Sequence, residues 1–123
     1  MRKLETRMNN AIRGRKNFSS GNTTVKTCSF FDTEGVYGEE SKVFLHGNHI
    51  ATYDHVNREL ALFDGGWQTV TTKSRLNALC NELATGFGVF QKNWNWFVGD
   101  FDNKNVIDFF DGVTVYSDGV FIK

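Results

Sequence analysis

Hydrophobic residues recur with the period of an α-helix, about 3.6 residues, in two parts of this chain. The first part is residues 3–13, where the apolar stripe consists of Leu4, Met8, Ala11 and Ile12. The second part is residues 73–84, where it consists of Leu76, Leu79, Cys80 and Leu83. Thr71 or Thr72 is expected to cap the second helix, and Gly86 suits its left-handed exit. The pattern predicts a short amino-terminal helix and a longer central one.

Short segments rich in β-branched and aromatic residues fill most of the remaining chain, and such segments favour strands. Residues 17–22 are typical of a polar linker and residues 35–40 of a loop, although Val36-Tyr37 could extend either neighbouring strand. Hairpin turns are indicated at Gly47-Asn48, Asp111-Gly112 and Asp118-Gly119. The predicted strands are residues 23–31, 42–46, 50–53, 59–63, 67–71, 88–91, 94–98, 105–110, 113–116 and 120–122.

These elements predict a single α+β domain over residues 1–123. Its sheet is mainly antiparallel and twisted, and the central helix packs on one face. Residues 1–20 could form a separable basic helical arm. The amino-terminal helix would then either lie at the edge of the sheet or mediate self-association into a homodimer.

Composition and charge narrow the class of protein. Hydrophobic residues make up 40% of the chain, and 12 Phe, 3 Trp and 3 Tyr favour a sheet core lined with rings. The 14 basic and 14 acidic residues cancel, so net charge alone gives no general affinity for polyanions. Residues 1–27 are nevertheless basic and residues 97–123 acidic. Either end could meet a partner, the acidic one by imitating phosphates, or the two ends could face each other.

Cysteine usage and hydropathy bear on the compartment. Cys28 and Cys80 lie in apolar contexts without metal-ligand spacing, which predicts two buried free thiols; a single disulfide is the alternative. No apolar run approaches the roughly 20 residues that a membrane-spanning helix needs, and no signal-peptide core is present. The sequence therefore predicts a cytoplasmic protein with no membrane partner.

Two basic segments are candidate anion-binding sites. Arg13, Arg15 and Lys16 lie in a flexible stretch that could neutralise DNA or RNA phosphates, although a solvated helix end is the plainer interpretation. Thr72, Lys73 and Arg75 lie at the start of the central helix, where free amides could seat an anion. That stretch lacks the glycine spacing of a phosphate loop, so helix capping and packing explain it equally well.

Aromatic and acidic residues offer weaker candidates. Trp94 and Trp96 would share one face of a strand, either as a platform for stacking bases or as part of the core. His46, His49 and Asp54 or His55 suggest a metal or hydrolase site, but no third metal ligand is convincing, and strand-turn polar residues are the commoner outcome. The carboxylates that could hold a metal are Asp100, Asp102, Asp108 and Asp111, although turn formation accounts for Asp111. We therefore assign no catalytic residue, no metal ligand and no cofactor.

Two segments resemble a family of small, uncharacterised proteins of tailed bacteriophages, including phages of marine and cyanobacterial hosts. One segment is His46 to Ala51, with the pattern His-Gly-Asn-x-Ile-Ala. The other is Gly66 to Asn77, with the pattern Gly-Trp-x-Thr-Val-Thr-Thr-Lys-Ser-Arg-Leu-Asn. The resemblance covers most of the chain, is weakest from Asp100 onward, and brings no active site to carry over.

The resemblance implies a phage accessory protein in the cytoplasm of the host bacterium. The leading hypothesis is a non-enzymatic protein that binds, and inhibits or modulates, a host defence complex or a host nucleoprotein complex. A direct nucleic-acid-binding protein of phage replication is the first alternative. A small metal-dependent hydrolase or nuclease is the second.

Overall fold

The computed structural model describes residues 2–101, 105–116 and 121–122. Two helices and ten strands are present in this part of the chain. In chain order they are α1 (Lys3–Arg13), β1 (Phe18–Ser20), β2 (Thr23–Phe31), β3 (Tyr37–Leu45), β4 (Asn48–Asp54), β5 (Glu59–Leu62), α2 (Val70–Leu83), β6 (Phe87–Lys92), β7 (Asn95–Asp100), β8 (Asn105–Asp108), β9 (Val113–Tyr116) and β10 (Phe121–Ile122).

The strands form two antiparallel sheets, which confirms the predicted α+β class. The larger sheet has the order β1-β2-β3-β4-β5-β9-β10, and the smaller one has the order β6-β7-β8. Helix α2 packs against β6, and α1 packs against α2 and β2. The chain leaves the larger sheet after β5 and returns at β9, where Leu60 pairs with Val115. The predicted turn at Asp118-Gly119 lies outside the described residues.

Helix α1 is part of the hydrophobic core. Met8 and Ile12 are fully buried, because the apolar stripe of the helix faces α2 and β2. Residues 17–22, predicted as a linker, instead contain β1 and a turn in which Gly21 has a positive φ of 56°. Strand β1 pairs with β2 in the register Phe18 to Val25. These contacts join residues 1–20, the segment predicted as a separable arm, to the rest of the domain.

Helix α2 begins earlier than its hydrophobic stripe predicts. Its N-cap is Thr69, whose hydroxyl oxygen accepts a hydrogen bond from the amide of Thr72 at 3.1 Å. The predicted caps Thr71 and Thr72 were therefore wrong, as was the strand over residues 67–71. The β-branched residues in this stretch favour a strand locally, but an N-cap hydrogen bond stabilises the first helical turn.

The β2–β3 hairpin extends past the part of the sheet that the other elements cover. Strand β1 pairs only with residues 23–25 of β2, so residues 26–31 form a sheet edge. Both faces are exposed from Cys28 onward, and Phe31 is 73% exposed. Phe30 packs over Gly38, where an added Cβ would lie 2.5 Å from the ring. The hairpin therefore continues to Tyr37, within the stretch predicted as a loop.

The two cysteines occupy different environments. Cys80 is buried in the core, and burial raises the pKa of its thiol to about 12. Cys28 is exposed, because residues 26–31 lie beyond the cover of the helices; the prediction that it is buried was wrong. Both cysteines are free, so the predicted thiol state is confirmed.

Candidate functional site

A polar pocket of about 540 Å³ lies between the end of α1 and the turn that joins β4 to β5. Its lining residues are Arg13, Arg15, Tyr53, His55 and Arg58, and we call it the basic pocket. Arg13 closes α1, and Arg15 follows in a left-handed turn with a φ of 54°. Arg58, with a φ of 57°, lies in the turn after β4. Arginines from the end of α1, from the turn that follows it and from the turn after β4 thus line one space.

Ion pairs hold two of the three arginines in place. Nε of Arg13 lies 3.2 Å from a carboxylate oxygen of Glu82, and Nε of Arg15 lies 2.7 Å from one of Glu39. Both arginine side chains remain 54% exposed. Arg58 is exposed and forms no ion pair with the described residues. The pocket therefore combines two oriented guanidinium groups with one uncommitted positive charge.

His55 adds a titratable donor to the basic pocket. Its Nε2 lies 2.8 Å from the hydroxyl of Ser41, which lies 2.6 Å from the hydroxyl of Thr27. The edge of its ring faces Tyr53, with the ring centroids 5.0 Å apart. Burial, followed by the positive charge of Arg15, lowers the pKa of His55 below its ordinary value of 6.5. An anion in the pocket would oppose both effects and favour the imidazolium, which donates from both nitrogens.

The structure brings together some of the predicted anion-binding residues and separates others. Arg13 and Arg15 both line the basic pocket, while Lys16 is exposed and does not line it. His55 was a candidate for a metal site and not for an anion site, and Arg58 was not predicted at all. The sequence indicates a turn after β4, where both residues lie. No local sequence pattern shows that this turn lies against the end of α1.

Arg75 is committed to contacts inside the protein. Its Nη1 lies 2.8 Å from a carboxylate oxygen of Glu5, and both side chains are almost fully buried. Its Nε donates to the hydroxyl of Thr23 at 3.1 Å, and its Nη2 donates to the side-chain oxygen of Asn22 at 3.2 Å. Arg75 therefore ties α2 to α1 and β2 instead of facing an anion at the surface.

The other two residues predicted at the start of α2 also have internal partners. The hydroxyl of Thr72 lies 2.9 Å from that of Thr69, and Thr72 is buried. The ammonium of Lys73 lies 3.4 Å from the side-chain oxygen of Gln91 on β6. The helix start and the basic segment are thus separate places in the fold, not one anion site.

Trp94 and Trp96 do not share a face, contrary to the prediction. Asn93 and Trp94 form the two-residue turn between β6 and β7, with positive φ values of 52° and 70°. Trp94 is 89% exposed, whereas Trp96 is 4% exposed and meets Phe109 edge-on at 5.4 Å. The prediction failed because it extended the strand by one residue, and the left-handed turn removes Trp94 from the alternation. Trp96 belongs to the core.

The histidine and carboxylate candidates have structural roles. His46 lies in the β3–β4 turn with a φ of 52°, and His49 lies 2.7 Å from the hydroxyl of Thr52 while stacking near Phe63. Asp111 accepts a hydrogen bond from the amide of Asp64 at 2.9 Å. Asp102 lies outside the described residues. Within the part of the chain that is described, no three His, Cys, Asp or Glu residues are grouped as a metal site.

The two segments that carry the phage resemblance meet around one cleft of about 260 Å³. We call it the motif cleft; Asp64 also lines it. The first segment and the residue before it contribute Leu45, His46, Asn48 and Ile50, and the second segment with its neighbour contributes Gly65, Trp67, Thr69 and Thr72. A Cβ atom added to Gly65 would lie 3.1 Å from a methyl group of Ile50, and the φ of Gly65 is 70°. The two motifs therefore lie around one cleft, where the loop before α2 closely approaches β4.

In a comparison with protein families, residues 1–116 match the family described as Kyanoviridae Gp96 protein. Neither the curated proteins nor the solved structures gave a match. Among the described residues, neither helix is long and apolar enough to span a bilayer.

Proposed function

The chain belongs to the Kyanoviridae Gp96 protein family, a phage family, and from this premise we propose that it is an accessory protein that acts by binding. Its target is a host complex that handles nucleic acid or serves in defence, and binding modulates or inhibits that complex in the host cytoplasm. The protein contacts phosphate groups of the target through the basic pocket. The observation that carries the proposal is the convergence of Arg13, Arg15 and Arg58.

The chemistry of the basic pocket suits a phosphate group. A guanidinium group presents planar pairs of N–H donors that match two phosphate oxygens at once. Glu82 accepts from Nε and Nη2 of Arg13, and Glu39 pairs with Nε of Arg15, so the orientation of each guanidinium is fixed while its other N–H groups stay available. Such pre-orientation lowers the conformational entropy lost on binding. Arg58 supplies the charge that no described carboxylate neutralises.

Variants of the basic pocket test this proposal directly. Arg15→Ala with Arg58→Ala removes two pocket charges, while Lys3→Ala with Lys92→Ala removes two charges elsewhere. Fluorescence anisotropy with labelled DNA and RNA should show weaker binding for the pocket variant only. The slope of log affinity against log salt should fall by about 0.7–0.9 for each phosphate contact removed. Equal losses in both variants would mean that binding follows net charge and not the pocket.

Capture from bacterial lysate, with and without nuclease, separates the two binding hypotheses. A host protein that stays bound to the tagged protein after nuclease treatment supports a host complex as the target. Loss of all captured material with nuclease supports the alternative, a nucleic-acid-binding protein of phage replication. Either set of captured molecules should shrink for Arg15→Ala with Arg58→Ala. An unchanged set would refute the role of the basic pocket.

A further inference from the structure

Residues 26–31 of β2 form an open sheet edge with regular hydrogen-bonding groups. Alternate residues of an antiparallel strand direct their N–H and C=O groups to the same side. The amide of Thr27 faces away from β3, because it donates to the side-chain oxygen of Asn17 at 2.8 Å. The amide of Asp32 faces β3, because it donates to the carbonyl of Val36 at 2.9 Å. Ser29 and Phe31 therefore direct their backbone groups outward, where no described strand pairs with them.

We propose that this edge pairs with the same edge of a second copy of the chain. The two strands run antiparallel about a two-fold axis at Phe30, so that Ser29 of each copy faces Phe31 of the other. Each of these two facing pairs exchanges two N–H···O=C bonds, which gives about four bonds across the axis. Thr27 is not needed as a donor, so its contact with Asn17 is kept. The larger sheet then continues from one copy into the other.

The side chains of the edge suit this register. Phe30 is 43% exposed and would lie directly opposite Phe30 of the second copy, at a position where facing Cα atoms are about 4.5 Å apart. Aromatic pairs that face each other across strands add stability beyond the backbone bonds. Self-pairing would thus cover a ring that is otherwise open to water.

The charges of the edge are also complementary under this symmetry. Lys26 on β2 faces Lys42 on β3, and it forms no ion pair with the described residues. It precedes Phe30 by four residues, and the acidic β2–β3 turn begins just after Phe31, so the two-fold axis brings Lys26 towards that turn of the second copy. Asp32 and Glu34 supply the carboxylates of this turn. Lys42 already pairs with Glu40 of its own chain at 3.6 Å, so the acids of the second copy would act on Lys26.

The symmetry fixes how the two basic pockets are presented. A two-fold axis between edge strands of one continuous sheet runs perpendicular to that sheet, so both copies expose the same face on the same side. Thr27, Ser41 and His55 are linked by hydrogen bonds on one face of the hairpin, beside the basic pocket. The dimer therefore presents two basic pockets on one side, on either side of the axis.

A proline at the edge tests the pairing without disturbing bonds inside one chain. Ser29→Pro removes an outward N–H, and an edge strand tolerates proline at such a position. Ser29→Ala is the matched control, because it keeps the N–H. In sedimentation equilibrium without nucleic acid, the wild type and Ser29→Ala should reach twice the 14.0 kDa mass of one chain as concentration rises, while Ser29→Pro stays at 14.0 kDa. A wild type that stays monomeric, or a Ser29→Pro variant that still dimerises, overturns the proposal.

A cross-link tests the register and does not depend on how Ser29→Pro folds. In the register about Phe30, Phe30→Cys in a Cys28→Ser background places two thiols on facing residues, within the roughly 4.4–6.8 Å Cα separation that a disulfide needs. Mild oxidation should convert this variant to a covalent dimer. The wild type serves as the control, because its exposed Cys28 would face Asp32 of the second copy and not another thiol. Cross-linking that is no faster than in the wild type overturns the register.

Discussion

Replacing Arg75 with Met removes the centre of a buried polar cluster that connects three elements. The guanidinium donates to Glu5 on α1, to Thr23 on β2 and to Asn22 in the preceding turn, over distances of 2.8–3.2 Å. Methionine keeps much of the side-chain length but supplies no donor. Glu5 would keep its bonds from the hydroxyl of Ser74 at 2.7 Å and from the amide of Arg2 at 3.2 Å, with its charge uncompensated.

The expected loss is large because the charge left behind is buried. Breaking a buried ion pair by removing one partner costs about 3–5 kcal/mol. The side chains of Arg75 and Glu5 are only 4% and 3% exposed, so water can replace little of the lost interaction. We expect Arg75→Met to lower the free energy of unfolding by about 3–5 kcal/mol, a large share of the roughly 5–15 kcal/mol of a typical domain.

Urea unfolding at pH 7, followed by circular dichroism, measures this loss. The double variant Glu5→Leu with Arg75→Met removes both charges, so its loss should be smaller than the two single losses combined, by about 0.5–3 kcal/mol. A loss below about 1 kcal/mol for Arg75→Met, in the range of an exposed pair, would refute the reasoning. Additive single losses would refute it equally.

The same ion pair predicts a dependence on pH. Burial opposes the ionisation of Glu5, but hydrogen bonds from Ser74 and Arg75 outweigh it and keep its pKa below the ordinary value of 4.5. A carboxyl whose pKa is lower in the folded state stabilises the fold above its unfolded pKa and loses that effect as the pH falls through the folded pKa. Stability should therefore decline below pH 4.5 in the wild type, and less steeply in Arg75→Met.

Two further predictions concern the turn between β6 and β7 and the basic pocket. Trp94→Gly should raise the free energy of unfolding by up to about 1 kcal/mol, since it relieves a left-handed conformation and removes a side chain with few contacts; a lower melting temperature would contradict this. The pKa of His55 lies below 6.5, so the imidazole of the free protein becomes protonated only below that pH. Because a bound phosphate stabilises the imidazolium, affinity for an oligonucleotide should increase as the pH falls below 6.5. His55→Asn should bind with less dependence on pH, and an equal dependence in both proteins would exclude His55.

The sequence predicted those parts of the fold whose signal is local. The stripe that ends at Ile12 predicted α1, and the short strand-favouring segments at residues 50–53 and 59–63 predicted β4 and β5. The start of α2 escaped prediction because Val70 and Thr71 favour strands by themselves, whereas Thr69 and its contacts set the N-cap. Local pattern here fixes the type of an element better than its ends.

The candidate site depended on contacts between distant residues, which no local pattern reveals. Arg75 suggested a surface anion site at the start of α2, but its partners Glu5 and Thr23 lie 70 and 52 residues away. The basic pocket has the same origin, because Arg13 and Arg15 meet Arg58 only after the β4–β5 hairpin is in place. The predicted basic segment therefore contained two of the five residues that line the pocket, and it could not indicate the shape of the pocket.

The return of the chain at β9 has a consequence for how the protein emerges from the ribosome. Strands β1 to β5 lie within residues 18–62 and pair with their sequence neighbours, so they can assemble early. The outer edge of β5 then waits for residues 113–116, some fifty residues of further translation, or several seconds at about 5–20 residues per second. During that interval the pairing groups of Leu60 and Leu62 have no strand beside them. Nascent chains are therefore most exposed to wrong pairing or chaperone capture while α2 and the smaller sheet are being synthesised.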